Sequence, residues 1–337
     1  MKSRINQEVK SSKSSKGHVL QLVKQRFVGM RLDQFIKALF PHATRGFVQQ
    51  MIQSGEVLVD GKVAERPDSK VRLGEKVEWP KSYQERTKKG QSVSEAILSQ
   101  VRVIAEDEHI LALFKPAGLS MHPIRSGQAG TLVTWLSTRY PQIMAVGENP
   151  MRPGIVHRLD KETSGVVIVA KTQSSFVALK SLFQTRAMQK EYLALVYGNI
   201  KSPSGTINLP LGRKKGSIKR AVPLGKREFG GELREAVTEY ELHTRYPQHD
   251  LLLVKPKTGR THQIRVHLAA LGHPIVGDRL YRFKEHRQDP LLPPYQLLHA
   301  KGIRFSLFGK KYRIEAQLPA YYSDILSILA LQREERD

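Results

Sequence analysis

The chain has 337 residues, with 55 lysines and arginines against 31 acidic residues and no cysteine, a formal net charge of +24. The missing cysteines exclude disulfides, cysteine-ligated zinc and thiolate attack on a base. The charge implies a polyanionic partner, with nucleic acid ahead of an anionic membrane surface. With 40% hydrophobic residues the composition is that of a globular protein, long enough for two or three domains. No apolar run approaches the ~20 residues of a membrane span, and the opening Met1-Lys2-Ser3-Arg4 has no apolar signal core. A cytoplasmic protein without membrane contact is expected. No G-x-G-x-x-G, Walker A or H-E-x-x-H pattern occurs, so the expectation is no nucleotide or other cofactor and no metal.

Residues 1–17 read as a disordered basic tail, with Lys2, Arg4, Lys10, Lys13 and Lys16 among serines. Residues 18–80 form a small domain. Leu32, Phe35, Ile36, Leu39 and Phe40 share one helix face. Thr44 is placed to cap a second helix carrying Phe47, Val48, Met51 and Ile52, with Gly55 at its end. Glu56-Val57-Leu58-Val59 and Lys62-Val63 flank Asp60-Gly61, a two-residue hairpin signal, and Gly74 marks a turn before Val77-Glu78-Trp79. From Met30-Arg31-Leu32-Asp33 through Asp60-Gly61 this block resembles the S4 RNA-binding domain. Arg31, Lys37 and Arg45 supply cations suited to phosphates. Residues 81–97 are polar, basic and aperiodic, a linker.

The main domain is expected over residues 98–330. Val101–Ile104 and Ile110–Phe114 read as a hairpin, followed by the turn Lys115-Pro116-Ala117-Gly118. Lys115 there is equally suited to holding RNA phosphate and to organising the loop. Gly154-Ile155-Val156-His157-Arg158-Leu159-Asp160-Lys161-Glu162-Thr163-Ser164-Gly165 is a polar loop bracketed by glycines, leading into the buried-type strand Val166–Val169. Ser174 or Ser175 can cap a helix with Phe176, Leu179, Leu182 and Phe183 on one side. A strand follows over Lys190–Gly198, where Tyr192 shares a face with Ala194 and Val196.

Residues 200–230 are rich in glycine and cations. Lys214, Lys215, Arg220, Lys226 and Arg227 among them suggest an RNA-gripping loop. After the strand Asp250–Val254, the string Thr258-Gly259-Arg260-Thr261-His262-Gln263-Ile264-Arg265-Val266-His267-Leu268 opens a helix. Its apolar stripe is Ile264, Leu268 and Leu271, with Arg265 one position off it and Gly272 at the end. His262 and His267 stand five apart, which does not suit a metal pair. Leu297–Ala300 and Ile303–Leu307 read as two closing strands.

Four strings in this order carry a resemblance: KPAG from Lys115, HRLDKETSG from His157, K-x-Y-L-A-x-V-x-G from Lys190 and TGRTHQIRVH from Thr258. They resemble the RNA pseudouridine synthases, in the branch typified by ribosomal large-subunit and dual-specificity enzymes. The resemblance implies an α+β catalytic domain around a mixed, mainly antiparallel bent sheet with flanking helices. It also implies Asp160 as the catalytic carboxylate, Tyr192 as the active-site tyrosine and Arg265 as the arginine that pairs with Asp160. Its known members often have asparagine before the KPAG lysine, where this chain has Phe114.

Beside these, His157, Arg158, Lys115, Arg260, His262, Arg31, Arg45, Lys214, Lys215 and Arg220 are expected RNA contacts, with Arg158 suited to filling the space of an extruded base. Coupled with an S4-like domain, the resemblance implies an enzyme on large-subunit ribosomal RNA or its precursor particle, and with no strong apolar repeat to form a dimer face a monomer is expected. Transfer RNA is the alternative substrate, and a non-catalytic ribosome-assembly factor the alternative class. Such a binder gives no account of the acidic Asp160 amid cations.

Overall fold

A computed structural model describes residues 18–39, 45–80, 95–122, 130–215, 219–223, 229–291 and 293–334. The basic tail, Phe40, Thr44, residues 81–94 of the expected linker, Lys226 and Arg227 lie outside the described residues, as does the Arg45 side chain. The chain divides into two compact units, Met1–Ser94 and Glu95–Asp337.

In the first unit β1 (His18–Leu22) precedes α1 (Leu32–Leu39) and α2 (Arg45–Gln53). β2 (Leu58–Val59), β3 (Lys62–Val63) and β4 (Lys76–Pro80) follow. The antiparallel sheet runs β1-β4-β2-β3. Leu32, Phe35 and Ile36 of α1 meet Val48, Met51 and Ile52 of α2 over Val77 and Trp79. Asp60 (φ 49°) and Gly61 (φ 75°) both take the left-handed conformation that a two-residue I′ turn requires.

The second unit is built on β5 (Arg102–Glu106), β6 (Ile110–Lys115), α3 (Leu132–Arg139), β7 (Ser164–Ala170), α4 (Gln173–Gln184) and β8 (Gln189–Tyr197). These are followed by β9 (Ser204–Asn208), the pair β10 (Gly212–Arg213) and β11 (Arg220–Ala221), β12 (Val237–Arg245) and β13 (His249–Pro256). Then come α5 (Gln263–Ala270), β14 (Leu298–Leu307), β15 (Lys310–Glu315) and α6 (Ala320–Glu334). One mixed sheet of nine strands runs β5-β6-β7-β14-β8-β13-β12-β9, with β15 against β14. β7 and β14 pair parallel and the other neighbours antiparallel. This is the expected α+β class.

Central strand β7 is buried along its whole length, as its run of β-branched residues requires. Gly165 sits where β7 meets β14: a Cβ there would fall 2.2 Å from the Ala300 carbonyl oxygen, so only glycine fits.

Three local expectations are corrected. Thr172, extended at φ −128°, caps α4 by accepting the Ser175 amide, which puts Ser174 and Ser175 inside the helix. The two closing strands are one, β14, with a register shift between His299 and Gly302. Helix α5 has no stripe: Gln263 through Leu268 are all buried, Arg265 included, while Leu271 is 41% exposed.

Candidate active site

Asp160, Tyr192 and Arg265 line one cleft of about 640 Å³ in the second unit, together with Arg158, Lys190 and His262. The Asp160 loop is fixed from below. Lys161 accepts the Gly118 amide through its carbonyl (2.8 Å), the Asp160 carbonyl accepts the Thr163 amide (3.1 Å), and Thr163 Oγ1 accepts from Gln296 Nε2 (2.7 Å).

Lys115 is part of this support, not an RNA contact. Its ammonium is fully buried and donates to the carbonyls of Pro116, Leu119 and Lys161 at 2.9, 2.9 and 3.1 Å, using all three donors. Burial pulls its pKa down to about 7, against the pull of the Asp160 charge. His157 lines the cleft but is held by the fold. Its Nε2 accepts the Ile168 amide at 2.8 Å and its ring stacks on Phe183. Burial lowers its pKa to about 3, so the ring is neutral and brings no cation to a phosphate.

Arg265 carries two carboxylates. Nε and Nη2 close on Asp278 at 2.6 and 2.9 Å, and Nη1 donates to Asp160 Oδ2 at 3.0 Å. Asp278 is fully buried, and its Oδ1 also accepts the amides of Leu280 and Tyr281. Burial disfavours the guanidinium charge, but the bonds and charge of Asp278 and then of Asp160 outweigh it and hold the pKa above the usual arginine range. The side chain therefore reaches the cleft as a permanent cation with a fixed direction. Its guanidinium carbon lies 5.1 Å from the centre of the Tyr281 ring. Tyr281 Oη accepts the Arg220 amide (2.9 Å) and bonds His262 Nδ1 (2.8 Å); the other nitrogen of His262 lies 3.9 Å from Asp160 Oδ2.

Sequence reasoning assigned no role to Asp278 or Tyr281. The available signal for Asp278 was an aspartate directly after a glycine, Gly277 at φ 78°, in the manner of a turn that feeds backbone amides to a carboxylate.

Two further members of the Thr258–Leu268 string, Gln263 and His267, are scaffold. Gln263 Oε1 accepts from Thr258 Oγ1 and the Arg260 amide, while its Nε2 reaches the Val237 carbonyl and Thr238 Oγ1. His267 is buried between Thr238 Oγ1 and the Leu209 carbonyl, both at 2.9 Å. His262 opens α5 at φ 59°, a left-handed conformation uncommon for a side-chain-bearing residue and one found at functional sites.

Tyr192 projects from β8 into the cleft. Burial, and next the charge of Asp160, push its phenol above the usual tyrosine range, so it stays protonated. Arg158 and Arg260 are exposed on the cleft wall, and Arg260 Nε donates to the Glu235 carbonyl. Lys214, Lys215 and Arg220 lie outside this cleft. Lys214 and Arg220 line a second depression of about 420 Å³ that shares Tyr281 with the site. Arg31, in the first unit, closes a two-bond fork on buried Asp33 (3.1 Å each), so its charge is matched within the fold rather than offered whole to phosphate.

Comparison with known proteins places these features together. A family model described as RNA pseudouridylate synthase matches residues 109–270, and one described as S4 domain matches residues 30–77. An Aquifex aeolicus protein named "Uncharacterized RNA pseudouridine synthase" is 38% identical over 259 residues, 75% of this chain and 77% of its own. A Xanthomonas campestris protein named ribosomal large subunit pseudouridine synthase D is 37% identical over 319 residues, 91% of this chain and 90% of its own. The solved structure of human RNA pseudouridylate synthase domain containing 1 superposes with a TM-score of 0.55 at 26% identity, covering 66% of this chain and 85% of that one.

Proposed function

The chain belongs to the RNA pseudouridylate synthase family, and on that premise we propose that it isomerises uridines of large-subunit ribosomal RNA with Asp160 as the reacting carboxylate. The enzyme class follows from the family, and RNA is the partner of its S4 domain. The ribosomal substrate is supported by the relative that aligns over 91% of this chain at 37% identity. In our reading residues 18–80 and 98–330 are the binding and catalytic domains. A monomer is part of this reading. Among the described residues no helix is long and apolar enough to cross a membrane, and a ribosomal substrate supports a cytoplasmic enzyme.

One observation carries the reading: a carboxylate, 3.0 Å from a guanidinium that a second, buried carboxylate locks, faces a cleft whose other charged lining residues are all lysines and arginines. The reaction breaks the N1–C1′ bond, forms C5–C1′, removes the C5 proton and returns one to N1. An ionised carboxylate held in direction serves as nucleophile or charge stabiliser at the ring or at C1′. Tyr192, kept protonated, is suited to the proton transfers. Extruding the uridine costs a few kcal/mol, and a long cation such as Arg158 on the wall suits the gap left behind.

The test is tritium release from large-subunit ribosomal RNA carrying 5-³H-uridine. Wild type releases tritium; Asp160→Asn releases none and binds the RNA within a few-fold of wild type. Turnover retained by Asp160→Asn would overturn the assignment of Asp160.

A further inference from the structure

Of the lysines and arginines lining the cleft, Lys180, Lys190 and Arg265 are the least exposed. Lys180 is paired with Glu148, and Arg265 with Asp160 and Asp278. Lys190 has no such partner. Its Nζ donates to the Thr258 carbonyl at 3.1 Å, and among the described residues no carboxylate lies within ion-pair distance. The neighbouring acid, Glu191, points to the other face of β8 and pairs with Arg304.

A half-buried charge without a counter-ion is costly, because charges withdrawn from water are ordinarily paired. Lys115 shows the contrasting solution in the same domain: all three of its donors end on carbonyls. Lys190 spends one on protein and keeps two for the cleft. Its pKa, drawn down by burial to about 8, still leaves it mostly charged at neutral pH.

Lys190 stands two residues before Tyr192 on the same face of β8, roughly 7 Å along the strand. Tyr192 in turn senses the charge of Asp160. A uridine whose base and ribose lie between Asp160 and Tyr192 therefore brings its own backbone to Lys190. Phosphate is the only charged group in that backbone.

We propose that Lys190 is the counter-ion of a phosphate flanking the target uridine, a substrate contact that the fold leaves open until RNA enters. The proposal rests on the placement of the uridine at Asp160 and Tyr192. A compact ammonium suits this role, since it meets a phosphate as a point charge and needs no matched planar geometry.

The test uses a hairpin cut from an RNA that the wild-type enzyme converts, with an ordinary phosphate or an uncharged methylphosphonate on each side of the target uridine in turn. Wild type, Lys190→Met and Lys190→Arg are compared by tritium release. Lys190→Met raises KM about 10- to 100-fold, the range for a hydrogen bond to a charged group, and leaves kcat within a few-fold. Lys190→Arg restores most of the KM. One methylphosphonate costs wild type a similar factor and costs Lys190→Met nothing more.

An unchanged KM in Lys190→Met overturns the proposal, as does a methylphosphonate penalty equal in the two proteins. The wild-type arm depends on no variant folding: if neither neutral linkage raises its KM, Lys190 does not hold a flanking phosphate. A failed role for Asp160 registers separately, as turnover in Asp160→Asn on the ordinary RNA.

Discussion

An arginine–aspartate fork occurs in each unit, and the two use the same chemistry for different ends. Arg31 meets Asp33 with two bonds of 3.1 Å, while Gln49 Nε2 adds a third to Asp33 at 2.8 Å. Arg265 meets Asp278 at 2.6 and 2.9 Å and extends a further nitrogen to Asp160. Both anchoring aspartates are fully buried, but the Arg31 side chain is 38% exposed and that of Arg265 is 9%. Water screens the first fork and weakens it. The second is dry, so each pair interaction is stronger and a missing partner costs more. A guanidinium has five donors in a rigid plane. When one carboxylate holds the Nε edge, the remaining edge is aimed, and a second carboxylate can be held toward a cleft. The Arg31 fork ends in the fold; the Arg265 fork passes its rigidity on to Asp160.

The comparison breaks most visibly if Arg265 is exchanged for the other long basic side chain. Arg265→Lys keeps a charge but cannot span Asp278 and Asp160 at once. Turnover on large-subunit RNA is expected to fall on the order of 10²–10³-fold, the scale of losing one preorganised donor, while RNA affinity stays within a few-fold. Single-turnover tritium release beside a binding titration checks this. An equal fall in affinity would make Arg265 an RNA contact rather than the holder of Asp160. Next in size is Asp278→Asn, which leaves the guanidinium buried with half its compensation. We expect a loss of about 3 kcal/mol, the lower end for removing one partner of a buried pair because Asp160 remains. Urea unfolding with an unchanged m-value measures it, and an unshifted midpoint would mean that the second fork is no drier than the first.

How much of this was legible beforehand depends on whether a residue's role is local. Helix α1, the Asp60-Gly61 hairpin and strand β7 follow from patterns within a few residues, and the structure has all three. The strings around Asp160 and Arg265 were visible for the same reason, and the pair they form spans 105 positions. Asp278 was not legible, because its value lies in a fork closed from 13 residues away and not in its neighbours. Lys115 stayed open between phosphate and loop because lysine is almost never fully buried; three backbone carbonyls converging from two loops make the exception and decide for the loop, and a linear string shows only one of those loops. Strand β14 was split in two because Lys301-Gly302 interrupts its apolar run at the point where the register shifts between His299 and Gly302.

The smallest effect sharpens the comparison from the other side. Asp33→Asn removes a charge from a fork whose arginine already stands in water, so the guanidinium can turn outward and regain hydration. The amide oxygen introduced by that substitution still accepts from Gln49. The loss in stability is therefore expected to be smaller than for Asp278→Asn in the same urea experiment. Salt separates the two further. Raising ionic strength to about 1 M contracts the screening length to roughly 3 Å, which weakens an exposed pair but reaches a buried one poorly. The gap between wild type and Asp33→Asn should narrow in high salt while the gap for Asp278→Asn persists. If both gaps narrow together, solvent reaches Arg265 as freely as Arg31, and the rigidity attributed to the second fork has to come from packing against Tyr281 instead.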